Sequence, residues 1–184
     1  GISNPELNKL DRNRLGTTAN RITTLALAWY FSEEEKYARK ATELIRVWFL
    51  DKATRMNPNL EYAQMIPGHN NDKGRCYGLI DTYSFIEMLD AVALKAFTAK
   101  DSKQLKKWFA ELTDWMLTSP QGKEEAAGAN NHSVAYDAQI IAFALYTGNK
   151  KLAQEVVDTF AEKRIFPQIA PDGRQPYELQ RTLA

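Results

Sequence analysis

Apolar residues recur along this chain at intervals of three and four, and no stretch alternates apolar and polar positions as a half-buried strand would. Leu15, Ile22, Leu25, Ala26 and Trp29 mark a helix over residues 14–31. Ser32 then suits an N-cap, with Glu33, Glu34 and Glu35 at the positive end of the next helix dipole. That second helix carries Tyr37, Ala41, Leu44, Ile45, Trp48 and Phe49. Residues 51–73, rich in Asn, Pro and Gly, read as a long connection of the kind that is usually functional.

The helical pattern resumes over residues 78–97 with Leu79, Phe85, Ile86, Leu89 and Val92. Asp101 or Ser102 is the expected cap of a helix running through Leu105, Trp108, Phe109, Leu112, Trp115 and Met116. Ser119-Pro120 closes it, because proline disfavours a helical residue before it. Residues 121–131 read as a loop, and residues 132–146 as an apolar helix broken at Thr147-Gly148-Asn149. An amphipathic helix over residues 151–160 follows, then a turn region, then a last helix starting near Tyr177. The run Leu25-Ala26-Leu27-Ala28-Trp29-Tyr30, a turn and Lys36-Tyr37-Ala38 is echoed by Ile141-Ala142-Phe143-Ala144-Leu145-Tyr146, a turn and Lys151-Leu152-Ala153. An apolar helix followed by a more polar one, twice, predicts inner and outer helices in antiparallel hairpins, an α/α toroid; an irregular helical bundle is the plainer outcome.

The 184 residues suffice for a single helical domain over 1–184 with a substantial core. The chain stops at Leu183-Ala184 inside a fresh helical pattern with no Gly, Asn or Pro to end it, which predicts the front portion of a longer domain. Lys and Arg number 24 against 23 Asp and Glu, a formal net charge of +1, so a dedicated nucleic-acid partner is not expected, though a local basic groove is compatible. One cysteine, Cys76, excludes an internal disulfide, and two histidines argue against a zinc site. No apolar run approaches the ~20 residues of a membrane-spanning helix. No phosphate-cradling glycine loop, Gly-x-Ser-x-Gly elbow or Cys-x-x-Cys pair is present, and no cofactor is expected.

The sharpest chemical feature is Asn130-Asn131-His132-Ser133 after Gly128, at a loop-to-helix junction. Asn131 as an N-cap and His132 as an ordinary first-turn residue is one reading. The other is an anion site in which helix N–H groups, an Asn amide and an imidazole converge on one charge. Arg12, Arg14, Asn71 and Arg75 are candidates for a polar, cationic groove, or are surface charge. Tyr62 and His69 lie on the long loop, where a lid over a bound ligand would sit. Tyr136 shares the helical face of His132 four residues earlier and reads as core or cleft wall. Trp29, Trp48, Trp108 and Trp115 suit stacking on a ligand or the core, and Lys103, Lys106 and Lys107 a solvated face.

Gly128-Ala129-Asn130-Asn131-His132-Ser133 together with Glu178-Leu179-Gln180-Arg181 resembles the alginate lyase family of polysaccharide lyases. So do Asp11-Arg12-Asn13-Arg14-Leu15-Gly16 and the run Trp48-Phe49-Leu50-Asp51-Lys52-Ala53-Thr54-Arg55-Met56-Asn57-Pro58. Tyr62-Ala63-Gln64-Met65-Ile66-Pro67-Gly68 and Gly78-Leu79-Ile80-Asp81-Thr82 extend the likeness nearly end to end.

The resemblance implies an incomplete α/α toroid whose cleft binds an acidic polysaccharide and cleaves a 4-linked uronate polymer by β-elimination. It implies Asn131, His132 and Arg181 as the catalytic group. Substrate contacts are expected from Arg12, Tyr62, His69, Asn71, Arg75, Asn130 and Tyr136. A proton-transferring tyrosine is expected several residues after Arg181, beyond Ala184, and a periplasmic or secreted location accompanies the family. Two other outcomes stay open: a non-catalytic domain that binds acidic glycans, and a toroid glycoside hydrolase working through paired carboxylates.

Overall fold

The computed structural model describes residues 4–94 and 97–182, the side chains of Asn8, Arg181 and Thr182 excepted. Helices α1 (Asp11–Ser32) and α2 (Glu35–Ile45) form the first hairpin, with α2 running on through a π-helical turn at Arg46–Leu50. Next come α3 (Phe85–Val92), α4 (Ala99–Thr118), α5 (Pro120–Ala126), α6 (Asn131–Thr147) and α7 (Lys150–Phe160). After a second π-helical turn at Ala161–Ile165 come the short α8 (Phe166–Gln168) and α9 (Pro176–Thr182). There is no strand among the described residues, and no described helix is long and apolar enough to cross a membrane.

Several expected boundaries move for identifiable reasons. Ser32 ends α1 instead of capping α2: its hydroxyl donates to the Ala28 carbonyl at 2.7 Å, and Glu33 takes the left-handed conformation (φ 57°) that terminates the helix. The cap of α4 is Thr98, whose Oγ1 accepts from the Asp101 amide while its hydroxyl donates to Oδ2 of Asp101 at 2.7 Å. This reciprocal pair replaces the expected capping by Asp101 or Ser102. The helix expected over residues 78–97 is divided into a 3₁₀ segment, Cys76–Thr82, and α3. The loop expected over residues 121–131 is largely α5: Ser119 Oγ accepts from the Gly122 amide at 3.0 Å, and Pro120 takes the first helical position. Gly148, with φ 91°, ends α6 where the break was expected.

α6 is the central element. It packs on α3, α4, α5 and α7, and buries Ser133, Ala135, Tyr136, Asp137, Gln139, Ile140, Phe143 and Ala144. α7 buries only Ala153 and lies outside it, so the second hairpin follows the inner-and-outer pattern. α1 departs from that pattern: only Leu15, Ala19, Ile22 and Ala26 are buried, one stripe on a helix that exposes Leu27, Tyr30 and Phe31. The core between the hairpins is aromatic. Phe49, Phe85, Trp108 and Phe109 pack edge to face, with centroids from 4.8 to 6.3 Å, and Phe143 joins through Phe109. Trp108 therefore belongs to the core, and its indole N–H donates to the Met56 carbonyl at 3.0 Å, pinning the long loop.

Candidate active site

The start of α6 is built by Asn130, not Asn131. Asn130 has extended backbone, and its Oδ1 accepts from the His132 amide at 3.0 Å. Its carbonyl accepts from both the amide and the hydroxyl of Ser133. The remaining first-turn amide, that of Asn131, donates to Oε1 of Glu178 on α9 at 2.6 Å. Asn131 is thus the first helical residue. The amides of residues 131–133 are all engaged within the protein, which corrects the expectation that they would face an external anion.

His132 is held on its buried side. Its Nδ1 lies 2.7 Å from Oε1 of Glu125, whose residue is only 2% exposed on α5. Burial pushes the Glu125 carboxyl above its ordinary range, against the pull of the His132 hydrogen bond. Cys76 has its thiol pushed up to about 12, first by burial and then by the nearby Glu124 and Glu125 carboxylates. The Tyr77 ring stands edge-on to the imidazole at 5.4 Å, and the Arg75 guanidinium lies 5.9 Å from the centroid of the same ring. No local sequence signal marks Glu125 or Tyr77 as part of a site. A carboxylate seven residues before His132, in a segment that reads as loop, carries no spacing signal.

A second basic group adjoins the first. Arg12 Nε donates to Asp81 Oδ1 at 3.0 Å, and Gln64 Nε2 donates to the same oxygen at 3.1 Å. Burial raises Asp81, offset first by Arg12 and more weakly by other neighbours including His132. Arg75 is half-buried, its Nε donating to the Gln64 carbonyl at 3.2 Å. Arg12, Arg75, Asn130, Asn131 and His132 are therefore brought to one region by Gln64, Tyr77 and Asp81.

Three expected contacts lie apart from this group. Tyr62, His69 and Asn71 are exposed on the long loop, and no side-chain hydrogen bond among the described residues ties them to His132. Asn71 sits between Asn70 and Asp72 in a run of left-handed backbone (φ 50°, 52° and 56° in order), stabilised where Asn70 Nδ2 donates to the Gly74 carbonyl. Tyr136 is removed from the contact set: it is buried, its hydroxyl donates to the Met116 carbonyl at 3.0 Å, and burial pushes that hydroxyl up to about 12. Arg181 lies on α9, and its side chain falls outside the described residues.

Comparison with known proteins adds the family. The model of the family described as alginate lyase matches residues 1–184. A crystal structure of an alginate lyase from Bacteroides ovatus is similar at 56% sequence identity with a TM-score of 0.93, covering 97% of this chain. The chain spans 48% of that protein, about half its length. No curated protein matches. The likeness establishes the all-α fold as that of the α/α-toroid type expected from the helical hairpins.

Proposed function

The chain belongs to the alginate lyase family, and on that premise we propose that it is a polysaccharide lyase that cleaves a 4-linked uronate polymer, alginate or a close relative, by β-elimination. The observation that carries this reading is the bond from the Asn131 amide to Glu178. It joins the Asn131-His132 turn to the helix bearing Arg181 across 47 residues of sequence, which supports a shared role for Asn131, His132 and Arg181.

The chemistry accounts for the residue types. The C5 proton of a uronate is a poor acid, because removing it places more charge beside a carboxylate. The Asn131 amide, His132 and the Arg181 guanidinium neutralise that carboxylate and stabilise the developing enediolate. A base takes the C5 proton, the freed electron pair forms the C4–C5 double bond, the C4–O4 bond breaks, and O4 receives a proton. With Nδ1 committed to Glu125, Nε2 is the imidazole nitrogen left for the uronate. The family resemblance assigns proton transfer to a tyrosine beyond Arg181, with His132 the other candidate.

Arg12, Arg75 and Asn130 supply charge and hydrogen bonds for neighbouring sugar units, and the loop bearing Tyr62, His69 and Asn71 covers the chain once bound. A periplasmic or secreted location follows the same family reading. Glu125 and Asp81 are each already bonded, to His132 and to Arg12 with Gln64, which favours elimination over hydrolysis by paired carboxylates. Incubating the intact protein with alginate and following ultraviolet absorbance of the unsaturated uronate tests the reading. New reducing ends without that chromophore would replace it with hydrolysis. Calorimetric binding of uronate oligomers without any product would replace it with a glycan-binding role.

A further inference from the structure

We propose that Glu125 is the positioning residue of this site, fixing the His132 imidazole in the tautomer that carries its proton on Nδ1 and presents a bare Nε2 to the sugar. The functional part of this inference rests on the lyase reading above; the structural part does not.

Two observations carry it. First, Nδ1 of His132 and Oε1 of Glu125 are 2.7 Å apart, a short, charge-assisted separation. A carboxylate oxygen only accepts, so the shared proton belongs to Nδ1. Second, neither group is free to rearrange: the Glu125 side chain is 3% exposed, that of His132 14%, and Tyr77 closes one edge of the imidazole. An amide in place of Glu125 can turn either its oxygen or its NH₂ toward Nδ1, so it no longer holds the proton there.

α5 exists to place this group. Ser119 and Pro120 start the helix two residues after α4 ends, and its short course brings Glu125 beneath the first turn of α6. A buried carboxylate behind a histidine is costly to maintain unless it is hydrogen-bonded, and here its partner is that histidine. Other hydrogen-bonding groups of the first turn are satisfied by Asn130 and Glu178, so Glu125 is not needed to cap α6.

The test is Glu125→Gln in the intact protein, with Glu124→Gln on the exposed neighbour as control. The tautomer is read from ¹⁵N resonances of the imidazole at a pH where it is neutral, assigned by difference against His132→Gln. The wild type is expected to carry the proton on Nδ1. Glu125→Gln is expected to shift the tautomer toward Nε2–H and to lower kcat roughly 10²-fold with little change in KM; Glu124→Gln is expected to leave both unchanged. A wild-type imidazole protonated on Nε2 overturns the assignment, and that readout needs no variant to fold. A Glu125→Gln enzyme that keeps its kcat overturns it also, as does one that loses kcat with the imidazole signals unmoved. A protein that makes no unsaturated product from any uronate polymer defeats the lyase reading alone, because the tautomer is measured without substrate.

Discussion

His132 and Glu125 are seven residues apart and on different helices, yet their side chains meet at 2.7 Å beneath the first turn of α6. The imidazole is therefore tied to a buried carboxylate, and the role proposed for it toward the sugar can be separated from that tie by mutation. His132→Gln, which keeps an amide donor for Glu125, is expected to lose turnover by about 10²- to 10⁴-fold while unfolding close to the wild-type temperature. His132→Ala is expected to lose the same activity and in addition to destabilise by about 1–3 kcal/mol, because Glu125 is left buried and unsatisfied. Paired activity assays and thermal unfolding of the two variants separate these effects.

Arg181 follows Glu178 by three positions on α9, and Glu178 is bonded to the Asn131 amide. Arg181→Lys keeps the charge but loses the planar, two-pronged grip on a carboxylate. A fall in kcat/KM of roughly tenfold to a hundredfold is expected, the equivalent of one charge-assisted hydrogen bond. An unchanged kcat/KM would take Arg181 out of the site.

Gly122 on α5 is chosen for lack of space. A Cβ placed there would come within 1.8 Å of the Met116 carbonyl oxygen, the same oxygen that accepts from Tyr136. Gly122→Ala must push α5 away from the end of α4, and Glu125 is carried three residues further along α5. The variant is expected to lose about 1–3 kcal/mol of stability and to lose activity by misplacing Glu125. Thermal unfolding and initial rates check it, and normal activity in a destabilised variant would dissociate the position of α5 from the site.

Acid sensitivity should trace largely to Asp101. Its hydrogen bonds from Arg46 (Nε to Oδ1 3.1 Å, a terminal nitrogen to Oδ2 2.9 Å) hold its carboxyl below the ordinary range, with the Thr98 hydroxyl helping against burial. A group depressed on folding contributes stability that is present above its unfolded pKa of about 3.9 and lost as pH falls through the lower folded value. Asp101→Asn is expected to flatten the acid limb of stability below about pH 4 while lowering stability at neutral pH. Denaturant titrations at several pH values would show it; parallel acid limbs would assign the effect elsewhere.

The legible part of this molecule is the part written in periodicity. The buried positions Leu15, Ile22, Ile45, Phe49, Leu105, Trp108, Phe109 and Leu112 all follow from helical spacing. The Asn130-Asn131-His132 junction was visible too, because a loop-to-helix step is a local signal. What was not legible is set by pairing across distance. Asn130 rather than Asn131 caps α6 because Asn131 is drawn to Glu178, 47 residues on. Glu125 looked like loop because α5 is only seven residues long, too short for a periodic pattern, and is held by its cap and its packing. Tyr136, read as a possible cleft wall from its helical face, is claimed by the Met116 carbonyl, a partner 20 residues back.

The two longest bridges of the site, Arg12 to Asp81 and Asn131 to Glu178, close gaps of 69 and 47 residues. Helices α1, α4 and α6 can form from neighbours alone, but this constellation cannot exist until distant segments have docked, and such closures are the slow events of folding. In a refolding experiment, recovery of catalysis should therefore lag behind recovery of helical signal, so that turnover times the final docking of the fold.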